Sequence, residues 1–454
     1  MPDTIAAIST PQNTGGIGII RISGENAIEI AGKVFKAADK RNLDSMKGYT
    51  AAYGHACYNG EVIDECIALV FRAPKSYTGE NTVELSCHGG LFVLKKVLRA
   101  VFEAGARPAE AGEFTKRAFL NGKIDLTEAD AVMNLINAQG EQGAKAALTA
   151  LDGALSRKMS ELNEMLLSVA AHMSAWVDYP DEDIEELDEE ALLHTLKNVK
   201  NQLSGLLSRF DSGSAVTKGV ETAIIGKPNV GKSALMNLLS GFGRSIVTDV
   251  AGTTRDVVEQ TVSLGDLLLH LADTAGIHST EDVVESIGIE RAKEKTDRAG
   301  LIFAVFDASR PLDEADEKIM ALCQGKRAVA VLNKSDLAPK ADTEKIKDSF
   351  AYTVSLCALD GSGLAELEKA CALLLCTNEL DTSQAMLSTE RQRKNALDSL
   401  AAVDEAINGL KAGITLDAVN VSIDAAISSL MELTGQKTTD AVVDEVFSQF
   451  CVGK

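Results

Sequence analysis

The segment "GKPNVGKS", Gly226 to Ser233, has the spacing of a phosphate loop, with a β-type run before it and a helical run after it. Gly226 and Gly231 let the loop amides from Asn229 and Val230 to Ala234 converge on a β-phosphate at a helix N-terminus. Lys232 has the reach and charge to meet β and γ oxygens, and Ser233 offers a hydroxyl to Mg²⁺. Further along comes "DTAG", comprising Asp273, Thr274, Ala275 and Gly276. There Asp273 is placed to hold a magnesium-bound water and the Gly276 N–H to meet a γ-phosphate. "NKSD" follows, with Asn333 bracing the base loop, the Lys334 stem covering a ring, and Asp336 accepting from guanine N1–H and its 2-amino group. Adenine has neither donor on that edge. "GTTRD" lies between them, and its Thr254 is expected to give the second hydroxyl to Mg²⁺. Four elements in this order imply GTP.

Hydrolysis needs a group that orients water. A Ras-type switch has glutamine after "DTAG", whereas Ile277 stands here and cannot hydrogen-bond. Arg255 is one candidate cation. Asn229 is another route: its amide oxygen can hold a monovalent cation against the phosphates, or it can simply be a loop asparagine in a left-handed turn. Sequence leaves both open.

The elements that must carry these residues read in three blocks. Residues 1–120 mix strands ("DTIAAIST", "GIGIIRISG", "TVELSCHGG") with a hairpin around Asn59-Gly60 and a helix from Leu91 to Ala104 stopped by Gly105, an α+β domain. Residues 121–215 and 380–454 are helical. Leu155, Met159, Leu162, Leu166, Val169, Met173 and Trp176 form an apolar seam, expected in a bundle core rather than a long coiled coil. Leu397, Leu400, Asp404, Ile407 and Leu410 follow helical spacing too. Between them, 216–379 alternates apolar strands ("VETAIIG", "LLLHLAD", "LIFAVFD", "RAVAVLN", "AYTVSL") with helices, which predicts a doubly wound, mostly parallel sheet inserted into the helical domain.

Composition narrows the classes. The chain has 454 residues, 45% hydrophobic and 24% charged, as a globular protein of about three domains would. A net charge of −21 argues against a general nucleic-acid binder, because phosphate-backbone affinity comes from Lys and Arg. Much acid sits in "DYPDEDIEELDEE", expected to be a solvated linker and helix start. No apolar run approaches the ~18 residues of a membrane span, and "MPDTIAAIST" lacks the features of a signal peptide. Eight scattered cysteines form no CxxC pair, so reduced thiols and a cytoplasmic location are expected.

From end to end the chain resembles the MnmE (TrmE) family of tRNA-modification GTPases. The resemblance rests on "DTIAAIST" with "GGIGIIRISG", "SYTGENTVELSCHGG", "GEFTKRAFLNGKIDLTEADAV", the GTPase elements and the terminal "FCVGK". It implies that 1–120 dimerises and binds a tetrahydrofolate (5,10-methylene or 5-formyl), that the helical domain is discontinuous, and that the Ras-like G domain is the insertion. It further implies an FAD- and NADH-using partner, MnmG or GidA, in a heterotetramer. Such a complex adds an aminomethyl or carboxymethylaminomethyl group to C5 of wobble uridine 34 of tRNA. A potassium-dependent GTPase activated by G-domain dimerisation accompanies it.

Carried over by motif, Asn229, Thr248, Val250 and Thr253 would surround K⁺, and Glu285 would fix the attacking water through a bridging water. Arg21, Glu84 and Lys123 fall in the folate-binding motifs, with Lys454 nearby; read alone, these are ordinary surface charges. Cys451 has two readings, a small buried residue or a thiol delivered to folate and uridine. Asn13, Ala111 and His278 depart from the usual pattern, as does Cys357 before Ala358, whose N–H should read guanine O6. The competing function is a GTP-timed ribosome or RNA assembly factor. That class usually carries a basic RNA-binding module, whereas this chain is acidic and ends in "FCVGK".

Overall fold

The computed structural model describes residues 3–138, 140–178, 188–242, 260–271, 296–378 and 380–454. They fall into two compact units, Met1–Met133 with Met431–Lys454, and Asn134–Leu430.

The first unit is built on seven strands: β1 (Ile5–Ile8), β2 (Ile17–Ser23), β3 (Phe35–Ala37), β4 (Thr50–Tyr58), β5 (Glu61–Phe71), β6 (Thr82–His88) and β7 (Arg107–Pro108). Their order is β3-β4-β5-β6-β2-β1-β7, antiparallel except for the β1–β7 pair. The β4–β5 hairpin turns at Asn59 and Gly60, both with positive φ (51° and 86°), the geometry that Asn-Gly predicts. Period-two alternation sorts the side chains. Ala6, Ile8, Ile20 and Ile22 enter a core with helices Ala27–Val34 and Leu91–Glu103. Ile5 and Ala7 point the other way, to Ala109 and Phe114. Arg21, between Ile20 and Ile22, therefore faces the Phe114 side of the sheet.

The second sheet comprises β8 (Val220–Ile225), β9 (Gln260–Leu264), β10 (Leu267–Leu271), β11 (Leu301–Asp307), β12 (Ala328–Asn333) and β13 (Tyr352–Ser355), in the order β13-β12-β11-β8-β10-β9. Its pairs are parallel except β9, an antiparallel edge strand that the apolar pattern had not revealed. All seven residues of β11 are buried, because both faces are covered. Phe303 and Val305 pack with helices Lys232–Phe242 and Leu364–Leu374, while Ala304 and Phe306 pack with Met320 and Ile346 on the opposite face.

In the bundle of the same unit, Leu155, Met159, Leu162, Leu166, Val169 and Met173 are buried along the single helix Ala154–Asp178. Trp176, at the end of that seam, is 37% exposed. The helix Glu390–Lys411 buries Ala396, Ser399, Val403, Ala406, Ile407 and Leu410. Leu397 lies outside at 44% exposure, and Asp404 faces Lys200 at 2.5 Å across to the helix Glu189–Ser208.

The closing stretch 431–454 packs with the first unit. Val443 and Phe447 of the helix Asp440–Ser448, with Phe450, bury against Leu126 and Ala129. Phe447 stacks at a tilt on Phe450 and Phe119, with ring centroids 5.3 and 6.1 Å away.

Candidate functional site

The carboxyl ends of β8, β11 and β12 are adjacent, the place where open parallel sheets present a ligand crevice. The loop after β8 is the phosphate-loop segment, and the helix Lys232–Phe242 begins at its end. Gly226, Asn229 and Gly231 all have positive φ (156°, 65° and 102°), which turns successive amides inward. Gly231 is required twice over: a Cβ there would also lie 2.0 Å from Asn333 Nδ2.

Side chains at the end of β12 hold this loop. Asn333, buried at the end of β12, donates Nδ2–H to Val230 O at 2.8 Å. Lys334 donates to Asn229 O at 3.0 Å and to Asp307 Oδ2 at 2.7 Å. On the other flank Lys227 Nζ lies 2.7 Å from Asp313 and from Asp316, at the start of the helix Glu314–Cys323. Lys232 Nζ donates to Gly226 O (2.8 Å) and Lys227 O (2.7 Å), and burial pushes its ammonium below the usual lysine range. An ammonium so placed favours polyanion oxygens as partners.

Burial alone would raise the Asp307 carboxyl, but its bonds to Lys334 and to the Ser309 hydroxyl and amide hold it down at about 2. Asp307 was not singled out from sequence. The available signal was positional: Asp307 ends "LIFAVFD" as Asn333 ends "RAVAVLN", and the two pair across β11 and β12.

Other expected residues take their places unevenly. Ser233 is exposed in the first turn of its helix, and Asp336 is exposed after β12. The Asn229 side chain is exposed, with no hydrogen bond among the described residues, and its φ is that of a left-handed turn. Ala358 differs from expectation: its N–H, expected on guanine O6, is donated to Asn333 Oδ1 at 3.0 Å. The neighbouring Cys357 is buried, with its N–H on Ser362 O. Thr248, Val250, Thr253, Thr254, Arg255, Asp273, Thr274, Ala275, Gly276, Ile277, His278 and Glu285 lie outside the described residues.

In the first unit the tail meets the sheet. Arg21 Nε donates to Glu84 Oε1 at 2.9 Å across β2 and β6, and its guanidinium lies over the rings of Tyr77 (5.4 Å) and Phe114 (5.6 Å). The same guanidinium reaches Gly453 O at 3.5 Å. Val452 pairs with Ala111, Gly112 N–H donates to Cys451 O, and Phe114 N–H donates to Lys454 O at 3.2 Å. Lys123, by contrast, donates to Pro74 O at 3.3 Å and packs beside Gly79. Cys451 is exposed, which does not fit the first of its two readings, a small buried residue. Asn13 does not take a positive φ.

A parallel sheet ending in a glycine-built phosphate loop, with "NKSD" on the neighbouring strand, defines a P-loop GTPase. Two family models match the chain: "GTP-binding protein TrmE N-terminus" over residues 4–123 and "MnmE helical domain" over residues 126–451. Curated relatives span the whole chain. The one from Acetivibrio thermocellus is 40% identical over 100% of this chain and 99% of its own length. That from Alkaliphilus oremlandii is 42% identical, and that from Geobacillus kaustophilus 41%, with the same coverage. Each is named tRNA modification GTPase MnmE. The chain belongs to the MnmE family. Among the described residues, no helix is long and apolar enough to cross a membrane.

Proposed function

We propose that this chain is the GTP-hydrolysing subunit of a tRNA-modifying enzyme that takes a one-carbon unit from a tetrahydrofolate and delivers it to C5 of wobble uridine. The observation that carries the reading is the docking of the terminal "FCVGK" beside Arg21 and Glu84. A pterin-like ring needs acceptors for its N–H groups and a glutamate tail needs cations, and Glu84, Arg21, Lys123 and Lys454 are of those types. Tyr77 and Phe114 add apolar faces beside the arginine. The exposed Cys451 supports a thiol role in that chemistry, as nucleophile or as acid–base group.

In the G domain, the loop amides and Lys232 bind the phosphates, Ser233 with Thr254 holds Mg²⁺, and Asp336 reads guanine. Asn229 with Thr248, Val250 and Thr253 holds K⁺, which supplies positive charge at the phosphates. The described members fit such ions in type: a hydroxyl at the helix start and an exposed amide. Glu285 orients water where Ile277 cannot. The chain works as a homodimer with an FAD-dependent MnmG-type partner, in the cytoplasm.

The test is mass spectrometry of wobble uridines in tRNA from a strain lacking this chain, complemented with the parent or Cys451→Ser. The expected result is unmodified C5 in the deletion, restored by the parent and not by the variant, whose purified form keeps its GTPase. Normal wobble uridines in the deletion strain would return the chain to the assembly-factor class. Full restoration by the variant would end the thiol role.

A further inference from the structure

Asp307 lies outside every motif described above, yet it is the buried end of a three-residue relay. Its Oδ2 accepts from Lys334 Nζ at 2.7 Å, and that same ammonium donates to Asn229 O at 3.0 Å. Ser309 fixes the other carboxylate oxygen with its amide (3.0 Å) and hydroxyl (2.6 Å). Arg310, largely exposed, stands 3.6 Å away and is the looser partner. Lys334 and Asn229 themselves both have positive φ (64° and 65°), so neither loop holds its shape by ordinary backbone preference. A lysine stem is flexible, and its ordering costs up to about 2 kcal/mol of rotamer entropy unless something anchors its tip. Here the anchor is a carboxylate from a third strand.

We infer that Asp307 is a positioning residue for guanine-nucleotide binding: it stretches Lys334 across the base side of the crevice and, through it, ties the base loop to the phosphate loop at Asn229. Asp307 touches neither the reacting atoms nor the base. Its loss therefore weakens binding of the nucleotide and leaves the chemical step alone. The inference rests on the GTPase class of the site, and the parent protein's own GDP affinity serves as the control for that class.

The experiment is a double-substitution cycle on the full-length chain with a fluorescent GDP analogue as the probe. Asp307→Asn keeps the shape and removes the charge. The expected result is a GDP Kd raised about tenfold, with the GTP KM raised similarly and kcat within about twofold of the parent. Lys334→Gln should weaken GDP binding as well. In that background Asp307→Asn should add less than about twofold, because the carboxylate acts only through the ammonium. A general folding defect would not cancel in that way. The rise in melting temperature produced by saturating GDP, measured against each variant alone, checks this independently. If Asp307→Asn does not fold, Asp307→Glu takes its place; it keeps the charge but misplaces it, and should raise Kd at least about threefold. Unchanged affinity, an equal loss in both backgrounds, or a fall in kcat at unchanged KM would each overturn the assignment.

Discussion

Arg21 and Glu84 face each other across β2 and β6, Nε to Oε1 2.9 Å, and the guanidinium also reaches the carbonyl of Gly453 at 3.5 Å. Residues separated by more than four hundred positions thus share one polar cluster. Gly453 sits there with φ +101°, and a Cβ would meet Ile8 O at 2.3 Å. Gly453→Ala should therefore undock the tail. Binding of 5-formyltetrahydrofolate, followed by calorimetry, should weaken by about tenfold or more while GTP turnover stays at the parent rate. Parent-like folate affinity with an undocked tail would remove the tail from the folate site.

Asp336 is exposed after the end of β12 and is free to take a base. If it accepts from N1–H and the 2-amino group, Asp336→Asn should lose about 2–4 kcal/mol, roughly 30- to 1,000-fold, of GTP affinity and gain xanthosine triphosphate. Competition binding with the two triphosphates measures this. Equal GTP affinity in parent and variant would withdraw the guanine contact.

Asn229 meets both of its readings: a left-handed backbone and an exposed amide. Two substitutions separate them. Asn229→Gly keeps the turn, Asn229→Ala strains it, and both remove the amide. If the amide holds K⁺, hydrolysis is faster in KCl than in NaCl at equal ionic strength, and both variants lose that difference. GDP affinity in the glycine variant should stay within about threefold, since Lys232 and the amides remain. A parent indifferent to the cation would leave Asn229 as a turn residue only.

An acid-sensitive network braces the first unit. Arg117, buried, donates to Asp3, Glu80 and Glu113, and Arg107 binds Asp3 and Glu113. Burial would raise the Glu113 carboxyl, but Arg107 and Arg117 hold it below the usual range; Asp3 is lowered chiefly by Arg107. Carboxylates with depressed folded values contribute stability that is present above their unfolded values, about pH 4, and lost as pH falls through the folded ones. The melting temperature of the first unit should hold down to about pH 5 and then drop. Arg117→Gln should cost about 1–3 kcal/mol at pH 7, because it removes one of the two guanidinium partners of the buried Glu113 while Arg107 remains, and should flatten the acid limb. Scanning calorimetry at stepped pH reads both. An acid limb as steep in the variant as in the parent would clear this network.

By itself the sequence determined the five parallel strands of the second sheet in their order of appearance, the phosphate loop and the "NKSD" loop. Those features are local: a glycine must take positive φ within its own turn, and apolar runs such as "LIFAVFD" declare a strand buried on both faces. The Asn59-Gly60 hairpin was legible for the same reason. Helical periodicity was less binding. The spacing Leu397, Leu400, Asp404 fits a helix, but which face turns inward depends on the neighbour: Leu397 lies outside, and Asp404 meets Lys200 of the adjacent helix. Tertiary structure alone placed 431–454 on the first unit, because Phe447 and Phe450 find their burial at Leu126 and Ala129, three hundred residues upstream. It alone gave the Ala358 amide to Asn333 and anchored Lys334 on Asp307. Those bonds join strand ends from three separate stretches of chain, and no spacing within one stretch encodes a distance between strands.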